Sequence, residues 1–274
     1  MKLPLPLASG GVSHDILSDS EIGTRCDVTR IPMVRNNIRL PGGLAVLLTV
    51  VSLFGCVADP DGHNDPFEPV NRVSFSLDQS FDSSVARPLA VFYNHAVPRF
   101  ARSGIHNFLG NLNAPVTFGN DVLQGEVRRA GQTAGRAVIN STLGIGGLVD
   151  VASNLGIPGH REDFGLTLGV WGVGEGPYLV LPLAGPSNLR DLTGDVVDIF
   201  MDPFTYLKWR NSTVYLGIRT GLGVVDRRAR NVHTVDEIEQ SSVELYATTR
   251  NLYSQHRNAE IRRGPQDTED LPNF

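Results

Sequence analysis

Residues 43–55, Gly-Leu-Ala-Val-Leu-Leu-Thr-Val-Val-Ser-Leu-Phe-Gly, form an apolar, uncharged run that ends at Cys56 and decides which part of the chain can fold. A helix needs roughly 20 apolar residues to span a bilayer, and this run is well short of that. Arg35 and Arg39 precede it and the small residue Gly55 closes it, which is the charge, apolar, small order of a secretory signal. The reading is therefore a signal peptide over residues 33–55, with Met33 as the effective start. The stretch before it, 1–32, carries Asp15, Asp19, Glu21 and Asp27, an acidic content foreign to such a leader, and is read as an untranslated or disordered extension.

Leu53-Phe54-Gly55-Cys56 resembles a lipobox, where cleavage makes Cys56 the lipidated N-terminus; Phe54 is larger than the residue usual there. Acyl chains on Cys56 would anchor the protein, since each buried methylene contributes about 0.8 kcal/mol. Val57 follows where an aspartate often marks inner-membrane retention, so the expected address is the periplasmic side of the outer membrane. Residues 56–64 are rich in turn formers and read as a lipidated tether, 65–263 as the folded body, and 264–274 as a disordered tail. Across 274 residues 41% are hydrophobic, enough for one sizeable core. A net charge of -5 supplies no basic footprint, which excludes nucleic acid as a partner. With Cys26 in the extension and Cys56 consumed by lipid, no disulfide framework remains.

Within the body the apolar spacing is mostly helical. Val127, Ala130, Ala134, Val138 and Ile139 share one face of a helix predicted over residues 126–143, ended by Gly144, Gly146 and Gly147. Ile238, Ser242, Leu245, Thr249 and Leu252 do the same in one long C-terminal helix opened by Thr234 or Asp236. A further helical stretch covers residues 84–109, interrupted at Pro88 and Pro98. Residues 167–182 differ: two short apolar arms flank Gly172, Gly174 and Gly176, the pattern of a hairpin or a flexible loop able to move. Trp171 and Tyr178 beside it suit a headgroup boundary or an ordinary buried hairpin. Gly131 and Gly135 form a G-x-x-x-G pattern, which alone is more often incidental packing than a close helix approach.

Motifs of catalysis are missing. There is no phosphate-binding P-loop, no G-x-S-x-G elbow and no H-E-x-x-H pair, and the histidines are scattered without metal-ligand spacing. No cofactor or metal is expected.

Asn64-Asp65-Pro66-Phe67-Glu68-Pro69-Val70-Asn71-Arg72 resembles the opening signature of the MlaA/VacJ family, carried by Asp65, Pro66, Glu68, Asn71 and Arg72. Further blocks agree in order, among them Arg87-Pro88-Leu89, Val97-Pro98-Arg99, Asn107-Phe108-Leu109-Gly110-Asn111, Asn140-Ser141-Thr142-Leu143-Gly144, Gly176-Pro177-Tyr178 and Asn188-Leu189-Arg190-Asp191. The likeness runs from about Asp65 to Phe204. It implies a mostly α fold: a single ring-like helical domain embedded in the membrane, with a polar central channel and a glycine-rich hairpin or loop. It also implies a non-enzymatic lipoprotein that removes misplaced phospholipid from the outer leaflet and so maintains lipid asymmetry. The implied partners are phospholipid, a trimeric outer-membrane porin and a soluble, MlaC-like periplasmic lipid carrier.

Asp191, Asp195, Asp198 and Asp202 fall within an arc of about 60° on one helix face. On a soluble protein this is a solvated face; in a membrane-embedded ring such carboxylates belong against a water-filled channel. Arg190, Asp191, Asp195 and Asp198 are the expected channel or headgroup contacts, and Gly172, Gly174 and Gly176 the gating loop. Leu192 stands where the family often has another aspartate. Two other functions stay open: a lipid hydrolase assembled from Ser141, His106 or His160, and a lipoprotein that only scaffolds porins.

Overall fold

The structure, a computed structural model, describes residues 65–206 and 212–263. The extension 1–32, the leader 33–55, Cys56 with its tether and the tail 264–274 lie outside the described residues. Helix dominates the rest, as the periodicity predicts. Helix α1 (Glu68–Phe81) passes through a π-helical turn, Asp82–Ala86, into α2 (Arg87–Ala96). The turn explains why Pro88 does not interrupt the helical path. Arg87 N–H bonds Asp82 O, which shifts the ladder so that Pro88 falls in the first turn of α2, where its missing donor is tolerated. The break comes at Val97, which is extended, and Pro98 then opens α3 (Arg99–Leu123), a helix longer than the sequence predicts that continues over Pro115.

Helix α4 (Val127–Thr142) matches its prediction within a residue, and Gly146 and Gly147 leave it with positive φ. Short α5 (Val151–Asn154) and α6 (Phe164–Val170) follow, capped by Asp150 and Asp163. Strands β1 (Tyr178–Leu181) and β2 (Gly185–Asn188) pair antiparallel in the register Tyr178 to Asn188 and Leu181 to Gly185. Then come α7 (Leu189–Met201), a 3-10 turn (Pro203–Tyr206), α8 (Ser212–Arg230), α9 (Val232–Ser241) and α10 (Leu245–Arg263).

Two expectations are corrected. The first arm of the glycine stretch is not a strand: Asp163 accepts Leu166 N–H at 2.8 Å and starts α6, and β1 pairs instead with the segment after it. The glycines join that helix to the hairpin. The C-terminal helix is two helices, because Ser242 is extended and Glu244 caps the second by accepting Ala247 N–H at 2.6 Å. Asp236 is no cap; it accepts Arg87 Nε at 3.0 Å and Nη2 at 2.8 Å across to α2.

The packing is inverted relative to a soluble bundle. Helix α4 buries Arg129, Thr133 and Asn140 beside Ala130, and turns Val127 and Val138 outward, with Val127 81% exposed. Periodicity finds this helix, but of its apolar stripe Val127, Ala134 and Val138 are exposed and only Ala130 is buried. Helix α1 behaves alike: Asn71 is buried, whereas Val70, Val73, Leu77 and Phe81 are exposed, and Leu89 and Phe92 extend the exposed stripe along α2. Yet no helix among the described residues is long and apolar enough to cross a membrane. Among the described residues, buried apolar side chains gather in small clusters, one of Ala90, Tyr93, Ala229 and Val232, another of Tyr178, Val180, Tyr246 and Tyr253, with Phe164, Leu166 and Leu168 buried on α6.

Close packing of α6 on α7 depends on Gly194, where a Cβ would lie 2.2 Å from Gly165 N and 2.7 Å from its Cα. Backbone cannot yield as a side chain can. Gly194→Ala should cost about 3 kcal/mol, whereas Gly110→Ala, with open space at its Cβ, should be neutral or slightly stabilising. Thermal unfolding of both variants in detergent checks this; equal midpoints would refute it. Gly131 and Gly135 have nothing within 4 Å of an added Cβ, so no close helix approach uses that pattern.

Candidate functional site

The opening signature builds a clamp. Asp65 is buried and accepts Asn71 Nδ2 at 2.8 Å, Arg250 Nη1 at 3.0 Å and the Tyr246 hydroxyl. Asn71 reaches across to the hairpin, donating to Tyr178 O at 2.9 Å and accepting Val180 N–H at 3.0 Å, so one side chain substitutes for a strand neighbour. Arg72 donates to Glu68 and Glu244 and lies 4.4 Å over the Tyr246 ring. Pro66 is in the turn before α1, which Glu68 opens. The signature thus ties α1, β1 and α10 together. Tyr178 lies in this buried aromatic cluster, not at a headgroup boundary, while Trp171 is partly exposed and donates to Leu123 O.

The four aspartates of the acidic face have different environments. Asp191 is buried and accepts Arg257 Nε at 2.8 Å, the Tyr253 hydroxyl at 2.6 Å, Asn188 Nδ2 at 2.9 Å and Arg190 Nε at 3.0 Å. Burial alone would raise its pKa, but Arg257 dominates and holds it at about 2. Arg190 is equally buried, and its Nη2 has no partner. Asp198 accepts Phe164 N–H at 3.0 Å and Asn120 Nδ2 at 2.9 Å, fastening α7 to α6 and α3. Asp202 follows the end of α7 and pairs with Arg219. Asp195 alone of the four is exposed and makes no hydrogen bond or ion pair.

Around Asp195 gathers a set of charged side chains. Asp195 is exposed, yet desolvation first, then Asp163 and Asp191, raise its pKa to about 6. Arg161 is likewise exposed, and desolvation first, then the charge of Arg227, lowers its pKa. Both side chains are exposed yet shifted by their surroundings, and we read the charges around them as lining a recess. Asp163 and Glu260 act electrostatically on Arg161, and Arg257 donates to Asp163 at 2.8 Å and to Glu260 at 3.2 Å. Burial raises the Glu260 pKa. Loop, α7, α8 and α10 all contribute, and of this set sequence reading picked out only Asp195. Arg161, Asp163, Arg227, Arg257 and Glu260 share no motif or spacing and meet only in the fold.

The sign of the Asp195 shift makes a test. An acid whose pKa is raised on folding binds more protons folded than unfolded between about pH 4 and 6, so its favourable contribution is present below that window and lost as pH rises through it. Asp195→Asn should therefore raise the unfolding midpoint at pH 7.5 and leave it nearly unchanged at pH 4. A midpoint difference independent of pH would contradict the recess.

Behind the recess runs a buried polar network that the sequence did not reveal. Asn120 and Asp121 are both 0% exposed. Asp121 accepts the Thr133 hydroxyl at 2.7 Å and sits 2.8 Å from His160 Nε2. Glu162 accepts Arg129 Nη2 at 2.8 Å and Gln124 Nε2 at 2.7 Å, and Thr167 donates to Asn120 at 2.8 Å. Such groups are kept inside a body only when their partners are supplied.

The hydrolase set does not assemble. The Ser141 hydroxyl accepts Asn111, His106 faces Asp226, and His160 faces Asp121 and Thr133. No group of His, Cys, Asp and Glu among the described residues has metal-binding geometry. Gly172 and Gly176 take positive φ, which fixes glycine there, whereas Gly174 does not.

A helical body with apolar side chains exposed along its outer stripes and polar groups buried inside defines a class: a helical protein that shelters polar groups. The family model "MlaA lipoprotein" matches residues 63–260. The chain belongs to the MlaA lipoprotein family. The "Intermembrane phospholipid transport system lipoprotein MlaA" of Escherichia coli (strain K12) is 34% identical, over 84% of this chain and 92% of its own. That of Haemophilus influenzae is also 34% identical, over 84% and 94% respectively. An uncharacterized Rickettsia bellii protein is 34% identical over 72% of this chain and 77% of its own. A solved chain from work on the "structural basis for maintenance of bacterial outer membrane lipid asymmetry" superposes with a TM-score of 0.62 at 33% identity, covering 71% of this chain and 97% of that one.

Proposed function

We propose that this chain is the lipoprotein of an intermembrane phospholipid transport system and maintains outer-membrane lipid asymmetry. It is anchored by lipidated Cys56 on the periplasmic side of the outer membrane and forms a ring-like body embedded there. The observation that carries the reading is the inversion: apolar stripes on α1, α2 and α4 face outward while Asn120, Asp121, Arg129 and Glu162 are buried inside. A headgroup crossing an apolar layer needs such a lining, because exposing charge to acyl chains is costly. Asp195 faces the passage, and Arg190, Asp191 and Asp198 stiffen the wall behind it. The loop of Gly172, Gly174 and Gly176 gates it. A trimeric porin seats the ring, and an MlaC-like soluble carrier takes up the phospholipid. No bond is made or broken in this cycle, so the chain acts without catalysis.

The test is reconstitution of the lipidated protein in vesicles with labelled phospholipid and the carrier. Asp195→Leu should slow transfer at least several-fold without loss of folded protein, since Asp195 bonds to nothing. Asp198 is a poorer probe because α6 and α3 depend on it. Transfer unchanged by Asp195→Leu would sink the channel role of this residue. Release of free fatty acid would replace transport by hydrolysis.

A further inference from the structure

We propose that a pocket between α2, α3 and α8 binds a phosphate group through Arg99, Arg102 and Arg230. The pocket has a volume of about 210 Å³, and Asn94, Ser103 and Asp226 complete its polar lining. Asp226 is its single carboxylate, and it is already occupied: it accepts Arg230 Nε at 3.1 Å and the Tyr93 hydroxyl at 3.3 Å, with His106 Nδ1 at 2.8 Å. Arg102 donates through Nη1 to Asn94, and its Nε is buried with no partner. Arg99 is exposed and makes no hydrogen bond or ion pair. Three guanidinium groups thus surround one small space with a single neutralised counter-charge. Buried donors left open cost free energy, and planar guanidinium forks with a Ser103 hydroxyl match the oxygens of a phosphate.

A phosphodiester headgroup or free phosphate presents the same chemistry. The lipid arm of the proposal rests on the transport reading; the pocket itself does not.

The experiment is calorimetric titration of the full chain in non-ionic detergent with inorganic phosphate and, separately, with short-chain phosphatidylglycerol. Both ligands should bind the wild type. Arg99→Gln should weaken binding about tenfold and Arg99→Gln with Arg230→Gln about a hundredfold, as expected for charge-assisted hydrogen bonds. Arg99 has no partner to lose, so that variant also controls for folding. Tighter binding of the lipid, displaced by phosphate, identifies a headgroup site; binding of phosphate with no gain from the lipid identifies a free-phosphate site. Equal affinity in wild type and variants, or no heat from either ligand, overturns the proposal. Vesicle transfer by the same wild-type preparation separates the two ideas: transfer without pocket binding sinks the pocket alone, and pocket binding without transfer sinks the transport reading alone.

Discussion

Asp65→Ala is expected to destabilise the folded body by about 3–5 kcal/mol, because it leaves the buried guanidinium of Arg250 without its carboxylate. Arg250 and Tyr246 both depend on Asp65, and Asn71, which aligns the hairpin, is oriented by it. The loss should therefore release α10 and β1 as well as α1. Replacing the ion pair by apolar groups, Asp65→Leu with Arg250→Met, should cost much less than the single change, since no uncompensated charge remains. Unfolding midpoints of the three proteins in detergent decide it. A single variant within about 1 kcal/mol of wild type would mean that the signature is not a clamp.

This clamp also shows what the sequence could and could not say. The signature could be read as a family mark, but its role rests on Tyr246, Arg250 and Tyr178, each more than a hundred residues away, and no local period connects them. The helices were legible where spacing and terminators agree, as at α4 with its closing glycines. They were misjudged where a local rule met a tertiary solution: a π turn absorbs Pro88, and Glu244 starts a new helix where one face appeared continuous. The hairpin was anticipated in kind but paired with the wrong segment, because capping by Asp163 outweighs the apolar pattern of residues 167–170. The acidic face was visible as a 3.6-residue period, yet period alone cannot distinguish Asp191, enclosed by four donors, from Asp195, which has none. That distinction sets their opposite pKa shifts. The inward polar faces of α3 and α4 were hidden for a related reason. An apolar stripe is ordinarily read as the buried side, and here several of its residues are exposed instead, Val127, Val138, Val73 and Leu77 among them.

Asp191→Asn is the second large effect, and its pH dependence has the sign opposite to that of Asp195→Asn. The Asp191 pKa falls from 3.8 to about 2 on folding, because the Arg257 interaction exceeds the penalty of burial. A carboxylate depressed in this way contributes stability that is fully present above about pH 4 and lost as pH falls toward 2. A downward shift of this kind is stability gained from the ionised form in the fold. Asparagine keeps the size and one acceptor oxygen, but it presents an NH2 group where Arg257, Tyr253 and Asn188 all donate, so the cost at pH 7 should be about 3 kcal/mol. Measured against pH, the wild-type stability should fall steeply between pH 4 and 2, while the Asp191→Asn curve starts lower and runs flatter through the same interval. Parallel curves would show that Asp191 is not held ionised by Arg257, and the junction of α7 with α10 would then need another source of strength. A flattened acid limb in Asp191→Asn together with a raised neutral limb in Asp195→Asn would separate the two carboxylates, one fixing the wall and the other facing water in the recess.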